Sequence, residues 1–119
     1  MEPGRLNLVV YKGSTFVKSI QWKSGDPPVA VNLTGYTARM QIRKRVNDTV
    51  ILESLTTENS KIVFTDAVNG ILELRISAAV STAYTFCNAV YDLELVNPDG
   101  VTVYRILEGS FTAAPEVTR

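Results

Sequence analysis

The sequence predicts an all-β fold: an antiparallel β-sandwich, immunoglobulin-like or related, of about eight or nine short strands with one short helix. Three observations carry this expectation. In Leu33-Thr34-Gly35-Tyr36-Thr37-Ala38-Arg39-Met40-Gln41-Ile42-Arg43 a turn feeds a strictly alternating segment. Tyr36, Ala38, Met40 and Ile42 share one face, and Thr37, Arg39, Gln41 and Arg43 the other, a period of two that belongs to a half-buried strand. Similar runs alternate with turn signals along the whole chain. Finally, Asn97-Pro98-Asp99-Gly100 reads as a hairpin turn, with Pro98 presetting φ, Asp99 second, and Gly100 as the left-handed bulge residue.

Taken in order, the strand-like runs are Leu6–Tyr11, Thr15–Lys23, Val29–Leu33, Tyr36–Arg45, Val50–Thr56, Lys61–Thr65, Ile71–Ile76, Ala89–Val96 and Val101–Phe111. Gly13-Ser14, Ser24–Pro28, Thr34-Gly35, Asn47-Asp48, Glu58-Asn59-Ser60, Asn69-Gly70 and Asn97–Gly100 separate them. The prolines of Ser24-Gly25-Asp26-Pro27-Pro28 prevent a strand from continuing. Asn69-Gly70 favours a tight hairpin, because both residues tolerate positive φ. Tyr91–Val96 and Val101–Leu107 are expected to form an antiparallel pair. Ser77 can cap a helix over Ala78–Tyr84, which carries three alanines and is too short to stand without packing on a sheet.

At 119 residues the chain has the length of one domain, 1–119, able to bury about two-thirds of its unfolded surface. The ends, Met1–Arg5 and Ala113–Arg119, read as short flexible arms. Twelve basic and twelve acidic residues cancel, which removes the electrostatic footprint of a dedicated nucleic-acid binder. No apolar run reaches about 18 residues, so no membrane span is expected, and Met1-Glu2-Pro3-Gly4-Arg5 does not begin a signal peptide.

The chemistry on offer is thin. Histidine is absent, which excludes the ordinary Ser-His and Cys-His nucleophile pairs and His-based zinc. Cys87 is the single cysteine, and its position after Phe86 suggests a buried, inert thiol. Asp92 and Glu94 share one strand face. That spacing suits a glycosidase-like pair or an oxygen-ligand cation site, but ion pairs to neighbouring strands are favoured. Arg39, Arg43 and Lys44 form a small basic stripe, read mainly as a solvated face because no aromatics interleave it. Trp22, Tyr36 and Tyr91 could make a sugar-binding platform, although inward positions favour the core. No catalytic residue, metal site or cofactor is expected, and no enzyme activity.

Several stretches resemble small β-domains encoded in the structural-gene modules of tailed bacteriophages. Leu33–Arg43 is similar to the "LTGYTA-x-x-x-I-R" strand of that group, and Gly13-Ser14-Thr15-Phe16 with Ile20-Gln21-Trp22 to its opening strand. Gly70-Ile71-Leu72-Glu73-Leu74 with Ser77-Ala78-Ala79 resembles its strand and short helix. Tyr91-Asp92-Leu93-Glu94-Leu95, Gly100-Val101 and Gly109 resemble its hairpin, and Pro115-Glu116-Val117-Thr118-Arg119 its tail. Such domains resemble the N-terminal module of phage baseplate upper proteins and neck or fibre-attachment proteins.

The resemblance implies a non-enzymatic virion protein, made in the host cytoplasm, that adapts neck, tail, baseplate or fibre components to one another. Its partners would be other phage structural proteins and copies of itself in a homo-oligomer, with no direct contact to nucleic acid or membrane. A head decoration protein and a module recognising host glycans are the alternatives. Apolar residues on the wrong side of the alternation (Val90, Ile71, Tyr104 and Ile106) suggest a subunit interface on neighbouring strands. A β-bulge that restores the alternation, or a second face covered by the helix, would explain them equally well.

Overall fold

The computed structural model describes residues 3–115. Among the described residues 52% are in strands, arranged as mainly antiparallel sheets around one core with a single short helix, so the chain is an all-β sandwich. In chain order the strands are β1 (Gly4–Arg5), β2 (Leu8–Tyr11), β3 (Phe16–Gln21), β4 (Lys23–Ser24), β5 (Val29–Ala30) and β6 (Thr37–Arg43). Then follow β7 (Glu53–Thr56), β8 (Ile62–Asp66), β9 (Ile71–Ile76), helix α1 (Ala78–Thr82), β10 (Asn88–Val96) and β11 (Val103–Ala114).

The larger sheet runs β1-β11-β10-β6-β7, with β2 continuing along β11 beyond β1; the smaller runs β3-β9-β8, and β4 and β5 pair by themselves. Both sheets contribute to the core. Ala38, Met40 and Ile42 of β6 and Tyr91, Leu93 and Leu95 of β10 are buried, and Leu72, Leu74 and Ile76 of β9 are buried too. The alternation read at 36–43 is therefore observed, except that Tyr36 precedes the strand and is half-buried.

Local chemistry explains the turns. Asn32 Oδ1 accepts from the Thr34 backbone N–H at 3.0 Å, and Gly35 takes φ 84°, so the chain reverses before β6. At the β10–β11 hairpin Gly100 has φ 76° and donates to Asn97 O at 2.9 Å, while Asp99 accepts from the N–H groups of Val101 and Thr102. Ser77 caps α1 as expected, accepting from Val80 N. Asn69-Gly70 closes differently: Ala67–Asn69 makes one 3-10 turn, and only Gly70 is left-handed. A side chain at Gly70 would meet the carbonyls of Trp22 and Val31.

Several boundaries move. The run from Val50 starts pairing only at Glu53, and Val101–Phe111 becomes Val103–Ala114. The stretch 4–11 is one edge strand with a break, running parallel to β11 in a single register from Gly4↔Leu107 to Leu8↔Phe111. At the break the ladder bond from Ser110 N to Leu6 O is replaced. Ser110 N donates to Asn7 Oδ1 at 3.2 Å, and Leu6 O accepts from the Tyr91 hydroxyl at 2.7 Å. The expected flexible arms are corrected in part, since Gly4–Arg5 and Ala113–Ala114 are strand. The rest of the expected tail, 116–119, and residues 1–2 lie outside the described residues.

Helix α1 is tied to the β2–β3 turn through Ser81, which is fully buried. Its hydroxyl accepts from Gly13 N at 3.1 Å and donates to Ser14 O at 3.0 Å. Tyr84, just after the helix, donates to Glu53 Oε2 at 2.9 Å, and Lys61 reaches Glu53 Oε1 at 3.0 Å. A carboxylate mostly shielded from solvent is thereby satisfied from two sides.

Candidate functional site

The outer face of the larger sheet holds a groove of about 740 Å³. Its floor is β10, whose outward residues are Val90, Asp92 and Glu94; β6 supplies Arg39, Gln41 and Arg43 on one side, and β11 supplies Arg105, Glu108 and Ser110 on the other. Arg5 of β1 and Val46 of the β6–β7 loop close its rim. Outward positions of adjacent strands meet by register, so the alternation that buries Leu93 also lines up these charges.

Four guanidiniums and three carboxylates line the groove, and they pair with each other. Arg39 Nε lies 2.8 Å from Glu94, Arg105 Nε 3.6 Å from Asp92, and Arg5 Nη1 3.5 Å from Glu108. Arg43 donates instead to Gln41 Oε1 at 2.8 Å and to the Asp48 carbonyl. Partial burial raises the Asp92 pKa above the usual carboxylate range. The charges of Glu94 and Glu108 raise it further, against the opposing pull of Arg105 and Arg43. Exposed pairs of this kind stabilise by about 1 kcal/mol or less each. The arrangement is that of a polar face with one guanidinium in excess, and the expected ion pairs from Asp92 and Glu94 to neighbouring strands are present. Among the described residues no group of three or more His, Cys, Asp or Glu side chains is placed to hold a metal ion.

The four residues expected to form an interface do not lie together. Val90 is half-buried on the groove floor. Ile71 is half-buried at the start of β9, in the other sheet. Ile106 is buried at 8% exposure, because the pairing shifts between Leu93↔Leu107 and Glu94↔Arg105 and leaves Ile106 as the extra residue of a bulge. Tyr104 opposes the inward Leu95 and packs on Trp22, ring centroids 5.3 Å apart. The bulge therefore accounts for Tyr104 and Ile106, and the neighbouring-strand patch is corrected.

The aromatic trio is also placed. Trp22 and Tyr91 are buried, and Tyr36 is half-buried edge-on to Trp22 at 6.4 Å, so these rings build core rather than an open platform. Cys87 is exposed, not buried. Phe86, one residue earlier, takes the inward position against Tyr84 and Phe111, which turns the next side chain outward.

Three of the exposed apolar side chains share one loop. Val46, Val50 and Ile51 are 80%, 65% and 43% exposed in the one loop joining β6 to β7. Val9 and Tyr11 project outward from β2. The sequence disguised the loop, since Val50-Ile51 carries strand-forming residues. The only available signal was that Asn47-Asp48 begins a reversal longer than a two-residue turn.

Fold and surface define an all-β sandwich whose larger sheet carries a charge-lined groove on its outer face. No family model matches the chain, and no curated protein matches it. Among the described residues no helix is long and apolar enough to cross a membrane.

Proposed function

We propose that this domain is a non-enzymatic structural subunit of a tailed-phage particle, an adaptor that docks neck, tail or fibre components. The ordered sequence resemblance supports the virion setting. The observation that carries the docking role is the β6–β7 loop, which holds Val46, Val50 and Ile51 in solvent beside the charge-paired groove. Three large apolar groups in one loop offer about 1.5–3 kcal/mol each when fully buried against a partner, while the paired charges around Val90 provide a polar rim. Loops positioned by a rigid scaffold are where contact residues concentrate.

The test is Val46→Asp with Val50→Lys in a phage assembled from its full gene set. The variant should keep the circular dichroism spectrum and unfolding midpoint of the parent yet be depleted from purified particles. Normal incorporation of the folded variant would refute the docking role of this loop, and absence of the parent protein from particles would refute the virion reading itself.

A further inference from the structure

The two larger sheets have four edges, and three of them are obstructed. On β7, the Asn59 side chain occupies the outward backbone groups, accepting from Thr56 N at 2.9 Å and donating to Ser54 O at 3.0 Å. On β8, the register slips between Val63 and Asp66, and a bulged edge pairs poorly with a new strand. On β3, Lys18 opposes Leu74 on the core side, so a strand added there would meet a charge beside the apolar layer.

The fourth edge, β2, has none of these devices. Leu8–Tyr11 is apolar on both faces, with Leu8 and Val10 buried and Val9 and Tyr11 44% and 64% exposed. Leu6 N donates to Glu108 O and Lys12 N to Ala114 O, so the even-numbered residues bond to β11. The backbone groups of Asn7, Val9 and Tyr11 therefore point away from the sheet. Among the described residues no strand pairs with them. The free stretch is bounded on one side by the break at Leu6-Asn7 and on the other by the turn in which Tyr11 O accepts from Ser14 N. Val9 lies at its centre.

We propose that this edge pairs with β2 of a second copy, antiparallel about a two-fold axis at Val9. The choice of a second copy follows from symmetry. In such a pair Val9 exchanges both hydrogen bonds with its own equivalent, and each Tyr11 N–H meets the other copy's Asn7 carbonyl. The outward Val9 side chains then cover each other, and the buried Leu8 and Val10 of the two copies become neighbours across the joint. This inference does not depend on the virion role.

Sedimentation equilibrium of the full chain over a wide concentration range tests it, with two variants. Val9→Lys should weaken dimerisation at least about tenfold. Val9→Pro removes an N–H that faces away from β11 and should do the same. Both should retain the parent's circular dichroism. In a Cys87→Ser background, Val9→Cys should form an intermolecular disulfide under mild oxidation. Directly opposed Cα atoms in a hydrogen-bonded pair lie about 5.5 Å apart, inside the range of roughly 4.4–6.8 Å that a disulfide spans. A parent chain that stays monomeric throughout overturns the proposal. So does a dimer indifferent to a folded Val9→Lys and lacking the crosslink.

Discussion

The hydroxyl of Tyr91 bonds the carbonyl oxygen of Leu6 at 2.7 Å, passing over Gly109, the residue that faces Tyr91 on β11. A β-carbon at Gly109 would collide with that same carbonyl. One glycine thus lets the edge strand tip toward the core, and one tyrosine fixes it there. The consequence is a break in the backbone ladder whose groups are still satisfied, by Tyr91 and by Asn7.

Tyr91→Phe should cost about 0.5–1.5 kcal/mol, the net value of one hydrogen bond. Gly109→Ala should cost more, since the methyl group displaces Leu6 and undoes the bond as well. Denaturant unfolding of both variants checks the order. Equal losses would mean that Gly109 contributes no steric constraint.

Trp22 is wedged between Tyr36 and Tyr104 in the core. Trp22→Ala should remove about 3–5 kcal/mol, the usual range for a buried aromatic. A glycan platform would instead lose ligand binding with little change in stability, so thermal unfolding distinguishes the two.

Glu53 and Tyr84 are predicted to be energetically coupled. A double-mutant cycle of Glu53→Gln and Tyr84→Phe should give an interaction energy of about 0.5–3 kcal/mol. Burial, and then the bond and charge of Glu53, push the Tyr84 pKa upward. A raised tyrosine pKa contributes stability that is intact below the ordinary value of about 10 and lost as pH rises toward the folded value. Alkaline destabilisation should therefore be shallower in Tyr84→Phe than in the parent.

Asp92 and Asp99 should titrate on opposite sides of the ordinary aspartate value. Burial and then Glu94 raise Asp92, so its contribution is fully present below the unfolded pKa and lost as pH rises through the folded one. The Thr102 and Val101 N–H groups lower Asp99, so its contribution is present above the unfolded pKa and lost as pH falls through the folded one. Carboxyl NMR titration reads both directly. Asp92→Asn should raise the unfolding midpoint at neutral pH more than in strong acid.

Legibility in the sequence followed locality. Period-two alternation placed β6, β9 and β10, because which face is buried depends only on neighbouring side chains. The Gly35 and Gly100 turns and the Ser77 cap were equally local. Long-range events were not legible. The bulge that buries Ile106 was one of the readings the broken alternation allowed, but its place depends on β10 register; the parallel course of β2 depends on a strand about a hundred residues away, and the exposure of Cys87 on where Phe86 packs. The candidate surface fell between these limits. The charges of Asp92, Glu94 and Arg39 were found on their strands, whereas the apolar β6–β7 loop was read as the beginning of a strand.

The bonds from Ser81 to Gly13 and Ser14 restrict how this domain can associate. For an N-terminal strand to leave its own sheet and complete a neighbour's, the crossing between sheets must open like a hinge. Here that crossing is Gly13-Ser14, and both its amide and its carbonyl are held by a hydroxyl with no access to water. Releasing it would take two hydrogen-bond partners from the buried Ser81 hydroxyl and expose Leu8 and Val10. Exchange of this strand between subunits is thereby disfavoured, so the pairing proposed for β2 would join intact sandwiches edge to edge.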